Sequence, residues 1–105
     1  VALYDAVSLL LKNGKIAENP IFDQIGAISC GIWNEVEILD LDYEEDSSAE
    51  TDGNFVLTAS KGIVEIQATA EQKPYNKSQF LKLLELADIG TQQIFNIQRK
   101  ALGLD

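Results

Sequence analysis

Asp40–Thr58 reads DLDYEEDSSAETDGNFVLT, and Gly62–Glu71 reads GIVEIQATAE. Asn54–Ser60 and Ile63–Thr69 are two short strand-like runs that meet at Lys61-Gly62. A glycine there supplies the unusual φ of a tight turn, so a hairpin is predicted. Working upstream, Ile25–Trp33 is an apolar, β-rich run without helical spacing, and Val36–Tyr43 is another. Their close junction at Asn34-Glu35 predicts a second hairpin. On the second of these strands the two-residue repeat puts Asp40 and Asp42 on one face and Leu39, Leu41 and Tyr43 on the other. Glu44–Thr51 is polar and short-chained, which reads as a loop or one helical turn. Working downstream, Asn76 is an N-cap with Gln79 three residues on. Lys77–Leu102 then carries Phe80, Leu83, Leu84, Ala87, Ile94, Ile97 and Ala101 at spacings of three and four, the stripe of a helix laid on a sheet. At 1.5 Å per residue it spans about 39 Å, with a bend expected near Gly90. The fold class is therefore α+β: a small, mostly antiparallel four-stranded sheet of two hairpins, covered by a long C-terminal helix.

The first residues, VALYDAVSLLLKNG, form a helical pattern with Leu3, Ala6, Val7, Leu10 and Leu11 apolar, ended by Asn13-Gly14 as a left-handed cap. This helix has neither an initiating Met nor a capping residue, so the chain is expected to start inside something larger. Two units follow: 1–23, a trailing helix and crossover from an absent N-terminal half, and 24–105, the α+β domain. The opening helix is apolar over a wider surface than one small domain covers. Part of it is expected to face the missing half or another subunit.

The charge is uneven. No Lys or Arg lies between Lys15 and Lys61, yet that stretch holds 11 of the 17 acidic residues, and the net charge is −9. Such a cluster is either a solvated acidic face or a metal site, because close carboxylates repel increasingly as solvent is excluded. With 8 basic residues the chain does not build a positive stripe for nucleic acid, so RNA would be held mostly by other parts. No His is present, which excludes Ser-His-Asp and Cys-His catalysis and His-ligated zinc within these residues. The single cysteine, Cys30, reads as a small buried hydrophobe, and the absence of a partner thiol in the chain favours a reducing compartment. No apolar run reaches the roughly 20 residues of a membrane span and no signal peptide is seen, so no membrane partner and a cytoplasmic address are expected.

Asp46 and Asp52 are six positions apart. That is the wrong spacing for one helix face but a natural one if a loop carries the first and a strand the second. Asn54 shares the strand face of Asp52, with Gly53 opposite. Two anionic oxygens and one neutral one suit a hard cation such as Mg²⁺ or Mn²⁺, which is commonly held by one or two carboxylates, water and phosphate oxygens. On the residues alone, a capping Asp, a turn Asp and solvated acid are the favoured account of the same spacing, with a metal or catalytic pair the alternative.

The words DLDYEEDSSAETDGNFVLT and GIVEIQATAE resemble the second half of the ribonuclease PH family, and the resemblance runs over essentially the whole chain. It implies a phosphate-dependent 3′-to-5′ exoribonuclease that trims transfer-RNA 3′ ends, with inorganic phosphate as co-substrate and nucleoside diphosphates as products. In that family and the related polynucleotide phosphorylase, two aspartates at this spacing line the phosphorolytic centre. The resemblance therefore implies Asp46 and Asp52 as catalytic and metal-holding residues. Asn54 falls where polynucleotide phosphorylase has a lysine contributing to the metal site. The family's phosphate-binding arginine lies upstream of the opening helix and has no counterpart here. The only arginine, Arg99, reads as a surface or interface residue. Ala68 and Gln72 replace family glycines around Thr69, Ala70 and Glu71, and Tyr75 stands for a Phe; these changes affect loop shape rather than chemistry. Trp33, Phe55 and Phe22 read as core or interface aromatics.

Three readings follow: the C-terminal half of such an enzyme, inactive alone and assembled as a ring of dimers; a ring-forming subunit without activity; or an unrelated acidic cation-binding domain. Retention of both aspartates favours the first.

Overall fold

In the computed structural model, which describes residues 1–104, helix α1 spans Ala2–Lys12 and is followed by strands β1 (Ile25–Trp33) and β2 (Val36–Leu39). A short helix α2 (Tyr43–Ser48), strands β3 (Thr51–Thr58) and β4 (Ile63–Ala70), and the long helix α3 (Lys77–Ala101) complete the chain. The sheet order is β2-β1-β3-β4 and every neighbouring pair is antiparallel. The expected fold class therefore holds, while several local expectations change.

The first hairpin turns at Asn34 (φ 50°) and Glu35 (φ 63°), the left-handed pair that matches the twist of two antiparallel strands. A glutamate is a poor occupant of that conformation, and two contacts hold it there. Its N–H donates to Glu50 Oε1 at 3.0 Å, and its own carboxylate pairs with Lys73 Nζ at 3.0 Å. Lys73 also lies 3.8 Å from Glu50 Oε2, a buried oxygen with no hydrogen bond. A distant lysine thus supplies charge that the acidic run lacks.

Strand β2 ends four residues earlier than expected, at Leu39, because Asp40 takes φ 61° and turns the chain out of the sheet. Asp40 and Asp42 consequently do not share a strand face. Asp42 instead caps α2: its carboxylate accepts from Glu45 N (2.8 Å), and Glu45 Oε1 accepts from Asp42 N (2.9 Å). The Asp-x-x-Glu spacing of a capping box overrides the two-residue alternation. In the second hairpin the positive φ (72°) belongs to Lys61 rather than Gly62. Gly62 is needed for space, since a Cβ there would lie 2.9 Å from Thr58 Oγ1, which accepts the Gly62 N–H.

Alternation along β3 buries Thr51, Gly53, Phe55 and Leu57 and turns Asp52, Asn54, Val56 and Thr58 to the opposite face. The buried face meets α3 in a core of Cys30, Ile32, Phe55, Leu57, Leu83 and Ala87. Helix α3 runs unbroken through Gly90. There a Cβ would collide with the Ile28 side chain and lie 2.9 Å from Leu39 Cδ1, so this glycine seats the helix on the sheet rather than marking a break. The buried stripe follows Leu83, Ala87, Thr91 and Phe95 in steps of four, leaving Ile97 66% exposed. Thr91 is tolerated inside because its hydroxyl donates to Ala87 O (2.9 Å). In the last turns Gln98 holds the sheet by donating to Ile25 O (3.0 Å).

Helix α1 buries only Val7 and exposes Leu3, Leu9 and Leu10. It ends at Gly14 (φ 70°) as expected. Because it projects, the radius of gyration is 17.0 Å, against about 13 Å for a compact chain of this length. A cleft of about 420 Å³ between its start and the end of α3 is lined by Tyr4, Ile21, Phe22 and Arg99. Phe22 is 97% exposed and so belongs to no core of this chain, unlike Phe55. Among the described residues no helix is long and apolar enough to cross a membrane.

Candidate active site

Helix α3 covers one face of the sheet; Asp52 projects from the other, near the start of β3, which lies between β1 and β4. Its cross-strand neighbours are Gly31 on β1 and Thr69 on β4. Gly31 leaves no side chain of its own beside Asp52, and Leu41 occupies the space: a Cβ on Gly31 would lie 2.8 Å from Leu41 Cδ1 and would also strike Thr51 O. Leu41 is tied there by its N–H, which donates to Ser29 Oγ at 3.1 Å. The segment that leaves β2 therefore folds back over β1 and starts α2 beside Asp52.

Helix α2 brings Asp46 close enough for its carboxylate to act on that of Asp52. The two predicted site residues thus meet from different elements, as their spacing requires. Burial, first, then the contact with the Asp46 carboxylate and its charge, and last the charge of Glu71, push the Asp52 carboxyl above the ordinary carboxylate range. Two carboxylates this close repel unless a proton or a cation offsets their charge, which adds to the effect of burial on Asp52. Asn54 lies two residues along the same face, exposed, opposite Ser29 and Gln67. It shares the face of the pair, and among the described residues its side chain makes no hydrogen bond to either carboxylate. No third carboxylate or thiol converges with Asp46 and Asp52 into a closed metal cage among the described residues. The donor set fits a hard cation that keeps water and substrate oxygens in its remaining positions.

Sequence reasoning passed over three participants. Glu71 reads as part of a strand-ending motif, yet it continues the β3–β4 ladder, donating its N–H to Glu50 O at 2.8 Å, and its charge reaches Asp52. Trp33 donates its indole N–H to Ser48 Oγ at 3.0 Å. Leu41 reads as a strand residue but lies beyond the end of β2, folded over Gly31.

Residues 23–90 match the family described as 3′ exoribonuclease family, domain 2. The chain belongs to that family. It is 50% identical over 103 residues to ribonuclease PH of Caulobacter vibrioides, an alignment that takes in 98% of this chain and 43% of that protein. It is 48% identical to ribonuclease PH of a Methylobacterium species and 47% identical to that of Methylorubrum populi, with 98% of this chain and 44% of each relative covered. The chain therefore spans less than half the length of these relatives and corresponds to their C-terminal part. The family's second-domain match covers the whole sheet and the first half of α3, including both aspartates.

Proposed function

We propose that this chain is the C-terminal domain of a phosphate-dependent 3′-to-5′ exoribonuclease that trims transfer-RNA 3′ ends. The observation that carries the reading is the meeting of Asp46 and Asp52 on the open face of the sheet, one from α2 and one from β3. In the reaction, an oxygen of inorganic phosphate attacks the terminal phosphorus. The bond from that phosphorus to the 3′ oxygen of the preceding nucleotide breaks, a nucleoside diphosphate leaves, and the freed 3′ oxygen takes a proton. A Mg²⁺ or Mn²⁺ ion, when held by Asp46 and Asp52 with Asn54 on the same face, supplies Lewis-acid stabilisation of the phosphoryl oxygens. The chain's own contribution is positional and protonic. Asp52 is fixed by a central strand, and one aspartate of the pair, when not engaged with the cation, assists proton transfer to the departing 3′ oxygen. Leu41 fills the space over Gly31, the cross-strand neighbour of Asp52.

A net charge of −9 leaves the holding of RNA and phosphate to residues outside this chain. The partner we assign is the N-terminal half of the same protein, seated against the exposed Leu3, Leu9 and Leu10 of α1, in an assembly built as a ring of dimers. The chain alone is accordingly inactive. The test is to incubate RNA ending in a mature 3′ nucleotide plus a short trailer with the full-length protein, phosphate and Mg²⁺. Nucleoside diphosphates that require phosphate are expected from the full-length protein and not from residues 1–105. Monophosphate products independent of phosphate, or no release at all, would overturn the proposal.

A further inference from the structure

The two carboxylates are held very differently. Asp52 is the second residue of β3, paired on both sides, and the stretch before it is pinned through Glu50, whose N–H donates to Ile32 O (2.8 Å), whose C=O accepts from Glu71 N (2.8 Å) and whose carboxylate accepts from Glu35 N. Asp46 rides on a helix of 6 residues that buries none of them. Its N-terminal end is tethered by Leu41 on Ser29 and Gly31. Its C-terminal end is tethered by Ser48, whose Oγ accepts the Trp33 indole N–H at 3.0 Å, whose hydroxyl donates to Glu44 O at 2.8 Å, and whose C=O accepts from Gln72 Nε2 at 3.4 Å. Of these tethers the indole bond is the one that joins α2 directly to the end of β1, at the last residue of β1, which pairs with Val36 of β2.

We propose that Trp33, acting through Ser48, is the latch that sets how closely Asp46 approaches Asp52, so that Trp33 and Ser48 are positioning residues for the carboxylate pair. The proposal rests on the reading of that pair as the working site, and it adds what controls it. Ser47, next to Ser48, spends its hydroxyl on Glu44 O within the same helix (3.0 Å), and among the described residues its side chain makes no hydrogen bond to another element. It is the natural control.

The test uses the 105-residue chain with nuclear magnetic resonance and Mn²⁺ binding. Ser48→Ala should move the Trp33 indole N–H resonance and speed amide exchange across α2 about fivefold, the value of one hydrogen bond. It should also weaken Mn²⁺ binding several-fold. Ser48→Thr, which keeps the hydroxyl, should restore all three, and Ser47→Ala should change none. In an Asp46→Asn background, Ser48→Ala should have no further effect on Mn²⁺ affinity, because the latch then has nothing to position. A Ser48→Ala variant that loses the indole bond yet binds Mn²⁺ like the parent overturns the proposal, as does an equal loss with Asp46 absent. If the parent chain alone binds no Mn²⁺, the latch is judged by the Asp46 and Asp52 carboxyl carbon shifts at pH 7. Ser48→Ala moves both if Ser48 sets their approach and leaves both in place if it does not.

Discussion

Gly31→Ala is the substitution that sets a local rule most sharply against the packing around the site. In a strand, alanine is ordinarily favoured over glycine by about 0.5–1 kcal/mol, since glycine loses more backbone freedom on folding. At position 31 the new methyl group would strike Thr51 O and lie 2.8 Å from Leu41 Cδ1. Leu41 can swing away, but the carbonyl belongs to β3 and cannot move without opening the β1–β3 ladder opposite Asp52. Overpacking of this kind costs about 1–3 kcal/mol, and a backbone obstacle places it in the upper part of that range. The net effect is a loss of about 1–2 kcal/mol, or a fall in Tm of roughly 5–15 °C for a domain of this size. Calorimetry or urea unfolding of the two chains measures it. A variant as stable as the parent, or more stable, would refute the claim that Leu41 and the β3 backbone close over Gly31.

Further outcomes follow from other parts of the fold. Burial pushes the Cys30 thiol up to about 12 from an ordinary 9.0, with the Asp40 charge adding to it. The unfolded chain therefore releases this proton first as pH rises. The contribution is fully present below pH 9 and falls by about 1.4 kcal/mol per pH unit from there to pH 12. Unfolding curves that show this slope in the parent and lose it in Cys30→Ala confirm it, and equal slopes contradict it. Asp42→Ala removes the capping box of α2 and should cost about 1 kcal/mol, read as faster amide exchange confined to Tyr43–Ser48. The exposed Leu3, Leu9 and Leu10 of α1 should make the isolated chain self-associate at micromolar concentration in sedimentation, with Leu3→Glu and Leu10→Glu together returning it to a monomer.

The class of fold was legible because two hairpins and one long helix leave periodic traces that tertiary contacts reinforce. The strands and α3 lie near where the β-rich runs and the three-four stripe put them, but β2 stops at Leu39 and β3 runs Thr51–Thr58 rather than Asn54–Ser60. The misreadings share a cause, which is that a local signal was outweighed by a contact remote in sequence or by a second local signal. Asp40–Tyr43 alternates like a strand, but the capping box between Asp42 and Glu45 captures it for α2. Gly62 and Gly90 read as conformational glycines, whereas each makes room for another residue: Thr58 in the first case, Ile28 and Leu39 in the second. Ile97 fits a three-four count from Ile94, but the helix drifts so that Phe95 takes the buried position. At the site, the spacing of Asp46 and Asp52 anticipated residues converging from two elements. Nothing in the sequence discloses that Trp33 would bond Ser48, or that Lys73 would reach back to Glu35 and Glu50, since such pairings exist only once the strands are in register.

The central claim is that the Asp46–Asp52 pair is where this family member does its chemistry. The most direct measurement is phosphate-dependent turnover of RNA by the full-length protein carrying Asp52→Asn, beside Glu65→Gln, a carboxylate on the same sheet face but opposite Val56. The account predicts a folded Asp52→Asn protein whose turnover at saturating Mg²⁺ is lower by about two orders of magnitude or more, the scale of a lost acid–base group, with Glu65→Gln near the parent. Parental turnover by Asp52→Asn would contradict it.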